Sequence, residues 1–399
     1  MILGQVSWLD CFVFLVFLAP QLIIQVGFFR TLVCGLQALP FLIIKLPLGF
    51  LYDRLLVRRE YRNPFVQQAS WFEDIVIRCV RYAFAYIPAS IGRVFFSKAV
   101  SLPFMRFRML RHGYLRCPIK WEEIKETGFT GLWVVEDNSQ QPDIVIYYAH
   151  GGGFSMGSSY FYLEFLLAWL TLLKRVGYRN PAILALEYTL VPDQSYPVQL
   201  QQAIAGYKHA LAITKDSSKI CVSGDSAGGT LILSLLLHLA NSSSELNGSS
   251  LAAAQSMVPA MAVLISPWTT LVSSKDRNTP SDYLDVTNLH HYAHQYARNK
   301  ISIHDPLISP GKCKDVSWWR QASPSKGFFI TYGAEEVFAP EIRDLVATLE
   351  KAGLKVEAQD QKDGIHAWPV AALFLSSTRE ERQKGLKSIV ERIRERMDV

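Results

Sequence analysis

One serine of this sequence lies in a setting that predicts nucleophilic chemistry. Ser226 is the third residue of Gly224-Asp225-Ser226-Ala227-Gly228-Gly229, with a strand-like apolar run, 219–223, before it and a helix-like run, 230–237, after it. A strand that enters a helix through Gly-x-Ser-x-Gly holds the serine in a strained turn that exposes its hydroxyl above the sheet edge. Glycine is expected at positions 224 and 228 because strand and helix approach too closely there to leave room for a side chain. Ser226 is therefore the candidate nucleophile.

A second glycine-rich segment supplies candidate donors for the charge that such a nucleophile creates. His150-Gly151-Gly152-Gly153-Phe154 directly follows a strand-like run. Acyl transfer develops negative charge on the substrate carbonyl oxygen, and backbone N–H groups free of side chains can stabilise that charge. We predict that Gly152, Gly153 and Ala227 donate these N–H groups. His150 is expected to brace the loop and not to act as the base.

The base and its carboxylate partner are expected after late strands. His366, in the heptapeptide Asp363-Gly364-Ile365-His366-Ala367-Trp368-Pro369, is the one histidine of nine that follows a late strand and lies downstream of the serine and acid candidates. A histidine can take the serine proton and later return it to the leaving group. Glu335 and Glu336 both follow the preceding strand, and either carboxylate could orient the imidazole. Asp363 is too close to His366 in sequence to be an obvious partner.

These segments need a framework that brings them together. From about residue 118 onward, strand-like and helix-like patterns alternate. This alternation predicts an α/β fold with a mostly parallel central sheet flanked by helices. A last helix-like segment carries apolar residues on one face, namely Leu386, Ile389, Val390, Ile393 and Met397. We expect residues 118–399 to form one catalytic domain.

The first 52 residues predict a membrane anchor. No charged side chain occurs from 11 to 29, and this is about the length needed to cross a bilayer. The apolar stretch 31–52 is compatible with a second span, a re-entrant segment or an interfacial helix. Residues 53–117 are rich in arginine and aromatic residues. They predict either a solvated helical linker or a cap over the site that lies on anionic headgroups.

Two features of the sequence disagree on the orientation of this anchor. Arginines and a lysine follow the first apolar stretch, which would keep the catalytic domain in the cytosol. Asn241 and Asn247 begin glycosylation acceptor patterns in a serine-rich segment, 241–255, that we predict to be a loop. Such patterns would matter only if the catalytic domain were lumenal.

The composition argues against several other classes of protein. Lysine and arginine number 41 against 35 acidic residues, a net charge of +6, and no basic stripe has interleaved aromatic residues. We therefore expect no nucleic-acid partner. The six cysteines show no CxxC or metal-ligand spacing, and His290 and His294 share a helix face without the glutamate of a zinc helix. We expect no metal and no organic cofactor.

Together these motifs resemble a known family. The segments 150–154 and 224–229, with Glu187-Tyr188-Thr189-Leu190-Val191-Pro192 and Tyr196-Pro197, are similar to the hormone-sensitive-lipase branch of the α/β-hydrolases. Within that branch, segments 336–342 and 366–369 most resemble the fungal steryl acetyl hydrolases. The resemblance implies that Glu336 is the acid, although the family usually has aspartate there. It also implies an endoplasmic reticulum membrane enzyme with a lumenal catalytic domain that removes acetate from sterol acetates.

The expected function is therefore that of a serine carboxylesterase acting on short-chain esters of hydrophobic alcohols through an acyl-enzyme. The residues themselves indicate acyl transfer, and the sterol comes from the resemblance. An arylacetamide-deacetylase-like or general lipid esterase would use the same machinery with another pocket. A non-catalytic protein that binds hydrophobic ligands is a different class, but such relatives usually lose the histidine, and this chain has Ser226, both acid candidates and His366.

Overall fold

The computed structural model describes residues 1–244 and 257–397. Its centre is an eight-stranded sheet in the order β1-β2-β4-β3-β5-β6-β7-β8. The strands are β1 Lys120–Glu126, β2 Phe129–Val135, β3 Val145–Ala149, β4 Ala182–Glu187, β5 Ile220–Asp225, β6 Met261–Ile265, β7 Phe328–Gly333 and β8 Val356–Gln361. The prediction of a mostly parallel sheet flanked by helices is confirmed.

Parallel pairing runs from β4 through β3, β5, β6 and β7 to β8. Of these, β3 to β7 are apolar runs buried on both faces, as a sheet covered by helices on each side requires, whereas the edge strand β8 is polar and half-exposed. β2 pairs antiparallel with both β1 and β4. We did not predict β1, because its sequence Lys-Trp-Glu-Glu-Ile-Lys-Glu is half-exposed and charged, as is common on an edge strand.

The helices that follow β3 cover both faces of the sheet. They are α7 Leu163–Arg175, α8 Val198–Thr214, α9 Ala227–Ser244, α10 Val286–Ala297, α11 Val316–Ala322, α12 Ala339–Lys351, α13 Trp368–Leu375 and α14 Arg379–Arg396. The apolar face predicted near the carboxyl end is buried on α14, where Leu386 and Ile389 are fully enclosed. The prediction that 241–255 is a loop is wrong at its start, because Asn241 lies in the last turn of α9. Asn247 lies outside the described residues.

Six helices precede the sheet. They are α1 Trp8–Gln25, α2 Phe28–Leu56, α3 Pro64–Gln68, α4 Trp71–Tyr86, α5 Ala89–Phe95 and α6 Lys98–Arg111. The helix α2 is continuous and includes π-helical turns at Phe41–Lys45 and Tyr52–Leu56. It therefore extends a few residues past the predicted anchor boundary at 52. α1 and α2 are both long and apolar enough to cross a membrane.

The amino-terminal helices pack along the catalytic domain. Phe14 of α1 contacts Phe104 of α6 at 4.9 Å between ring centroids. The guanidinium of Arg108 is fully buried between the carboxylates of Asp10 and Glu164. Buried ion pairs of this kind are costly to break, since removal of one partner leaves an uncompensated charge. We infer that α1 is fixed to α6 and α7 and is not a free appendage.

Candidate active site

Ser226 sits between β5 and α9 in the strained turn that its motif predicts. Its φ is +51°, a left-handed conformation that costs a non-glycine residue energy and persists only when the surroundings enforce it. The main chain is held by three hydrogen bonds, from Ser226 N–H to Ile265 O at 3.0 Å and to Ser226 O from the N–H groups of Trp268 at 3.0 Å and Thr230 at 3.2 Å. A Cβ on Gly228 would lie 2.0 Å from Ala149 O. The close approach therefore requires glycine.

The loop 150–154 leaves β3 beside this turn. Gly152 and Gly153 have φ values of +113° and +61°, so a side chain would be strained at either position. Within the described part of the chain, the N–H groups of Gly152, Gly153 and Ala227 donate no hydrogen bond. Ala227 is also the first residue of α9, where the helix dipole favours negative charge. These three N–H groups are available to a developing oxyanion.

Asp225 connects the serine turn to the glycine loop. Its buried carboxylate accepts hydrogen bonds from Gly151 N–H at 2.8 Å and from the hydroxyls of Tyr148 and Tyr162, both at 2.6 Å. Burial raises the pKa of Asp225 above its ordinary range, and the two tyrosine hydroxyls oppose that rise. Because Asp225 directly precedes Ser226, one carboxylate sets the position of the loop relative to the nucleophile.

His150 packs inside the loop and faces no candidate reaction centre. Its ring stacks on Tyr188 with centroids 4.3 Å apart, and Nδ1 lies 2.7 Å from Gly151 O. Burial lowers the pKa of His150 to about 4. The imidazole is thus neutral at ordinary pH, and its contacts lie within the loop and on Tyr188.

The candidate acid and base face each other at the ends of β7 and β8. Nδ1 of His366 lies 3.7 Å from Oε1 of Glu336, and both side chains are buried. This separation is within ion-pair range and longer than a hydrogen bond, as is common in catalytic pairs without substrate. Neither atom has another partner among the described residues. The side chain of Glu335 is half-exposed, and among the described residues the carboxylate within ion-pair range of His366 is that of Glu336, so the geometry favours Glu336.

The second oxygen of Glu336 is fixed by its surroundings. Oε2 accepts hydrogen bonds from Ser266 Oγ at 2.5 Å and from Gly333 N–H at 2.9 Å. Ser266 Oγ in turn accepts from Ala367 N–H at 2.9 Å. Ser266 follows β6. This strand pairs with β5, which ends directly before Ser226. The serine, acid and histidine segments are thereby held at the carboxyl edge of four adjacent strands.

Charge in this pocket favours the protonated imidazole. Burial alone would lower the pKa of His366, but the carboxylate of Glu336, followed by those of Asp282 and Asp225, raises it above its ordinary value. Burial raises the pKa of Glu336, and the facing imidazole opposes that rise. Buried, facing groups whose pKa values are both perturbed are typical of an acid–base pair at a functional site.

Other sequence candidates lie elsewhere. Asp363 hydrogen-bonds Gln68 and not His366. His294 is exposed, whereas His290 is half-exposed and contacts the buried carboxylate of Asp276 at 2.9 Å. No group of three metal-binding side chains occurs among residues 1–244 and 257–397.

Sequence reasoning missed two groups that hold the acid and base, Ser266 and the segment Thr279–Tyr283. Neither belongs to a recognisable motif. A serine directly after β6 with a positive φ of +45° is the one local signal, and it is visible only in the structure.

The parallel sheet carries a serine turn after a central strand, and N–H groups without acceptors among the described residues lie beside that turn. The carboxylate–histidine pair follows β7 and β8 at the same edge of the sheet. These features together define the class of serine hydrolases on an α/β scaffold. The chain belongs to the alpha/beta hydrolase fold family, whose model matches residues 146–370. It resembles a bacterial esterase of the hormone-sensitive lipase family, with a TM-score of 0.62, 23% identity and coverage of 82% of this chain and 99% of the other. That likeness concerns the fold alone.

Sequence relatives indicate which branch of this family the chain resembles. The chain is 27% identical over 245 residues to an acetyl-hydrolase of Streptomyces hygroscopicus, covering 60% of this chain and 72% of that protein. It is 29% identical over 249 residues to a putative steryl acetyl hydrolase of Schizosaccharomyces pombe, covering 59% and 62%. For steryl acetyl hydrolase 1 of Saccharomyces cerevisiae the values are 23%, 58% and 54%. The expectation of a hormone-sensitive-lipase-like carboxylic ester hydrolase, related to steryl acetyl hydrolases, is confirmed.

Proposed function

We propose that this protein hydrolyses short-chain esters of hydrophobic alcohols, steryl acetates above all, by a serine mechanism. The observation that carries the proposal is the assembly at one sheet edge of the strained Ser226 turn and the buried Glu336–His366 pair, 3.7 Å apart. A protein that only binds a ligand needs neither a serine held in a strained turn nor a buried carboxylate–histidine pair at the same sheet edge.

In this mechanism His366 takes the proton of Ser226 as the hydroxyl attacks the ester carbonyl. Glu336 holds the ring and stabilises the imidazolium, and the N–H groups of Gly152, Gly153 and Ala227 bind the oxyanion. Collapse of the tetrahedral intermediate expels the alcohol, which receives the proton from His366. Water, deprotonated by His366, then attacks the acyl-enzyme and releases the acid and free Ser226.

Aromatic crowding around the glycine loop supports a short acyl group. Phe154 stacks on Tyr296 of α10 with centroids 3.9 Å apart, and a Cβ on Gly153 would lie 3.0 Å from the ring of Tyr292. Trp268, bonded to the main chain of Ser226, stacks on Phe338. These rings pack closely around the glycine loop and the serine turn, and we take this packing to favour a short acyl group.

The alcohol is proposed from the relatives. Two of those described above are steryl acetyl hydrolases and a third is an acetyl-hydrolase. A second candidate, an arylacetamide-deacetylase-like esterase, is favoured by 29% identity over 117 residues to human arylacetamide deacetylase-like 2. That match covers 28% of each chain, so we rank it below the sterol proposal.

Purified protein in detergent, assayed with a steryl acetate, an aryl acetate and a long-chain steryl ester, tests these proposals. We expect cleavage of both acetates, a higher kcat/KM for the steryl acetate, and no turnover by Ser226→Ala. Preference for the aryl acetate would favour the second candidate. Hydrolysis by Ser226→Ala at the wild-type rate would refute the mechanism.

We also propose that residues 8–56, here called the apolar helix pair, attach the protein to a lipid bilayer. Most of the exposed large apolar side chains of the described residues belong to this pair, among them Phe12, Ile24 and Phe29, which are 64%, 74% and 79% exposed. A soluble protein rarely leaves so large an apolar area in water.

The residues just before the apolar helix pair contact the catalytic domain, and the far end of the pair contacts α4. Val6 N–H donates to Phe374 O at 2.9 Å, and Met1 and Leu3 are buried in its core. At the other end Arg54 binds Asp74 at 2.8 Å. We therefore propose that residues 1–6 lie on the same side of the membrane as the catalytic domain, so that α1 and α2 enter the bilayer together or lie along its surface.

Tags at the two ends of the chain in sealed microsomes test this arrangement. Both tags should be protected from protease, or both digested, and opposite results would contradict it. The endoplasmic reticulum location with a lumenal catalytic domain is proposed from the resemblance alone. A glycosidase-sensitive mobility shift lost in Asn241→Gln with Asn247→Gln would support it, whereas absence of any shift in the wild type would count against it.

A further inference from the structure

The carboxylate of Asp282 lies between the loops that carry the candidate acid and base. The residue is 1% exposed and accepts three backbone hydrogen bonds. Oδ1 accepts from His366 N–H at 3.0 Å and from Tyr283 N–H at 2.8 Å, and Oδ2 accepts from Val337 N–H at 2.9 Å. Val337 directly follows Glu336. One side chain thus fixes the main chain at both members of the acid–base pair.

The segment around Asp282 makes further bonds to the same loops. Thr279 Oγ1 donates to Glu335 O at 2.7 Å and accepts from Asp282 N–H at 3.0 Å. The hydroxyl of Tyr283 donates to His366 O at 3.1 Å. We call residues 279–283 the bridging segment, because it bonds to the acid loop on one side and to the histidine loop on the other.

The amino-terminal helices hold the bridging segment from behind. The guanidinium of Arg81, on α4, donates to Asp282 O at 2.7 Å and to Ser281 O at 2.9 Å. Hydrogen bonds from a charged donor are stronger than those between neutral groups. The helix layer that carries the apolar helix pair is therefore connected to the acid–base pair through two residues.

We propose that Asp282 is a positioning residue for the ester hydrolysis proposed above, setting the separation of Glu336 and His366 and adding negative charge beside the imidazole. The inference rests on the proposed function, since it assigns Asp282 a part in that reaction. A carboxylate is required because all three of its partners are N–H donors. An asparagine would direct its own NH₂ group at one of them, leaving a buried donor without an acceptor.

The charge of Asp282 gives the proposal a measurable signature. Besides Asp282, the titratable groups of the described residues that face His366 are Glu336, Asp225 and the phenol of Tyr283, and Phe338 presents an apolar edge. Burial opposes protonation, whereas the three carboxylates raise the pKa of His366. Loss of one carboxylate charge must lower that pKa, so the acidic limb of the kcat/KM profile should move to lower pH.

The test compares Asp282→Asn with Asp276→Asn in the full chain, using an aryl acetate as substrate. Asp276 is a matched control because its carboxylate is also buried, 6% exposed, and accepts from Ser273 N–H and His290 at a distance from the acid and base loops. We expect kcat of Asp282→Asn to fall roughly 10- to 100-fold with KM little changed, as small misplacements of catalytic groups produce. The acidic limb should shift downward in that variant alone.

Two further measurements separate the possible failures. Labelling by a fluorophosphonate counts folded protein with a reactive Ser226, so kcat is expressed per reactive site. The His366 pKa, followed by histidine ring NMR in the wild type and Asp282→Asn, gives the charge effect without any turnover. An unshifted pKa and profile, with kcat per reactive site equal to the wild type, would overturn the role of Asp282. A wild type without esterase activity would instead refute the proposed function.

Discussion

The nucleophile side and the acid–base side of the candidate site are held in place by different means. Around Ser226 and Gly152 the position is set by backbone geometry, with positive φ values and contacts too close for a Cβ. Around Glu336 and His366 it is set by side chains from other segments, among them Ser266 and Asp282.

This difference has an energetic consequence. A glycine turn is enforced by sterics over a few residues, so it tolerates little change but depends little on distant parts of the chain. The acid–base side depends on buried hydrogen bonds between segments far apart in sequence. Removal of one partner of such a bond destabilises the folded arrangement because the other partner is left buried and unpaired. The acid–base side should therefore respond in graded steps to substitution.

The largest effect is expected on the nucleophile side. Ser226→Ala should lower kcat by about 10⁵- to 10⁶-fold, because the attacking oxygen is removed while binding is kept. Measurement of ester hydrolysis with Ser223→Ala as the control checks it, since Ser223 is buried in β5 three residues upstream. Equal losses in the two variants would indicate damage to the fold and not to the nucleophile.

On the acid–base side, Glu336→Gln should lower kcat by about 10⁴-fold, the cost typical of losing the carboxylate behind a catalytic histidine. The carboxylate holds the pKa of His366 above its ordinary value, and the base must be neutral to act. Its removal should therefore move the acidic limb of kcat/KM to lower pH. Glu335→Gln is the matched control, and a comparable loss there would reverse the choice between the two acids.

Between the two sides, Asp225→Asn should reduce kcat by about 100-fold, comparable to loss of one oxyanion donor. The amide cannot accept from Gly151, Tyr148 and Tyr162 as the carboxylate does, so the glycine loop should move away from the nucleophile. Steady-state kinetics checks this. Tyr162→Phe, which removes one of the three hydrogen bonds, should lower kcat far less. A loss of kcat as large as that of Asp225→Asn would contradict the proposed role of the carboxylate in placing the glycine loop.

The smallest effect is expected at Arg81, which lies outside the site and supports its acid–base side. Arg81→Gln should lower kcat on the order of fivefold, corresponding to about 1 kcal/mol for a weakened hydrogen bond, because Arg81 supports the bridging segment from α4. Thermal unfolding should change little. No change in kcat, even though labelling shows a full complement of reactive serine, would mean that the acid–base side does not depend on the amino-terminal helices.

Much of the fold and half of the site could be predicted from the sequence. The turn at Ser226 and the loop 150–154 are encoded by adjacent residues whose backbone preferences survive any context. The parallel sheet follows from uninterrupted apolar runs. The apolar pattern of residues 11–52 likewise specifies helices by composition.

Only the tertiary structure turned Glu336 and not Glu335 toward His366, placed Ser266 and Asp282 behind the acid–base pair, and packed residues 1–6 on the catalytic domain. Neighbouring glutamates have the same chemistry, and they differ here only in which one points inward. Asp282 and His366 are 84 positions apart, and a hydrogen bond over that distance leaves no periodicity or motif in the sequence. What adjacent residues impose on each other is local, whereas what distant residues impose exists only once the chain has folded.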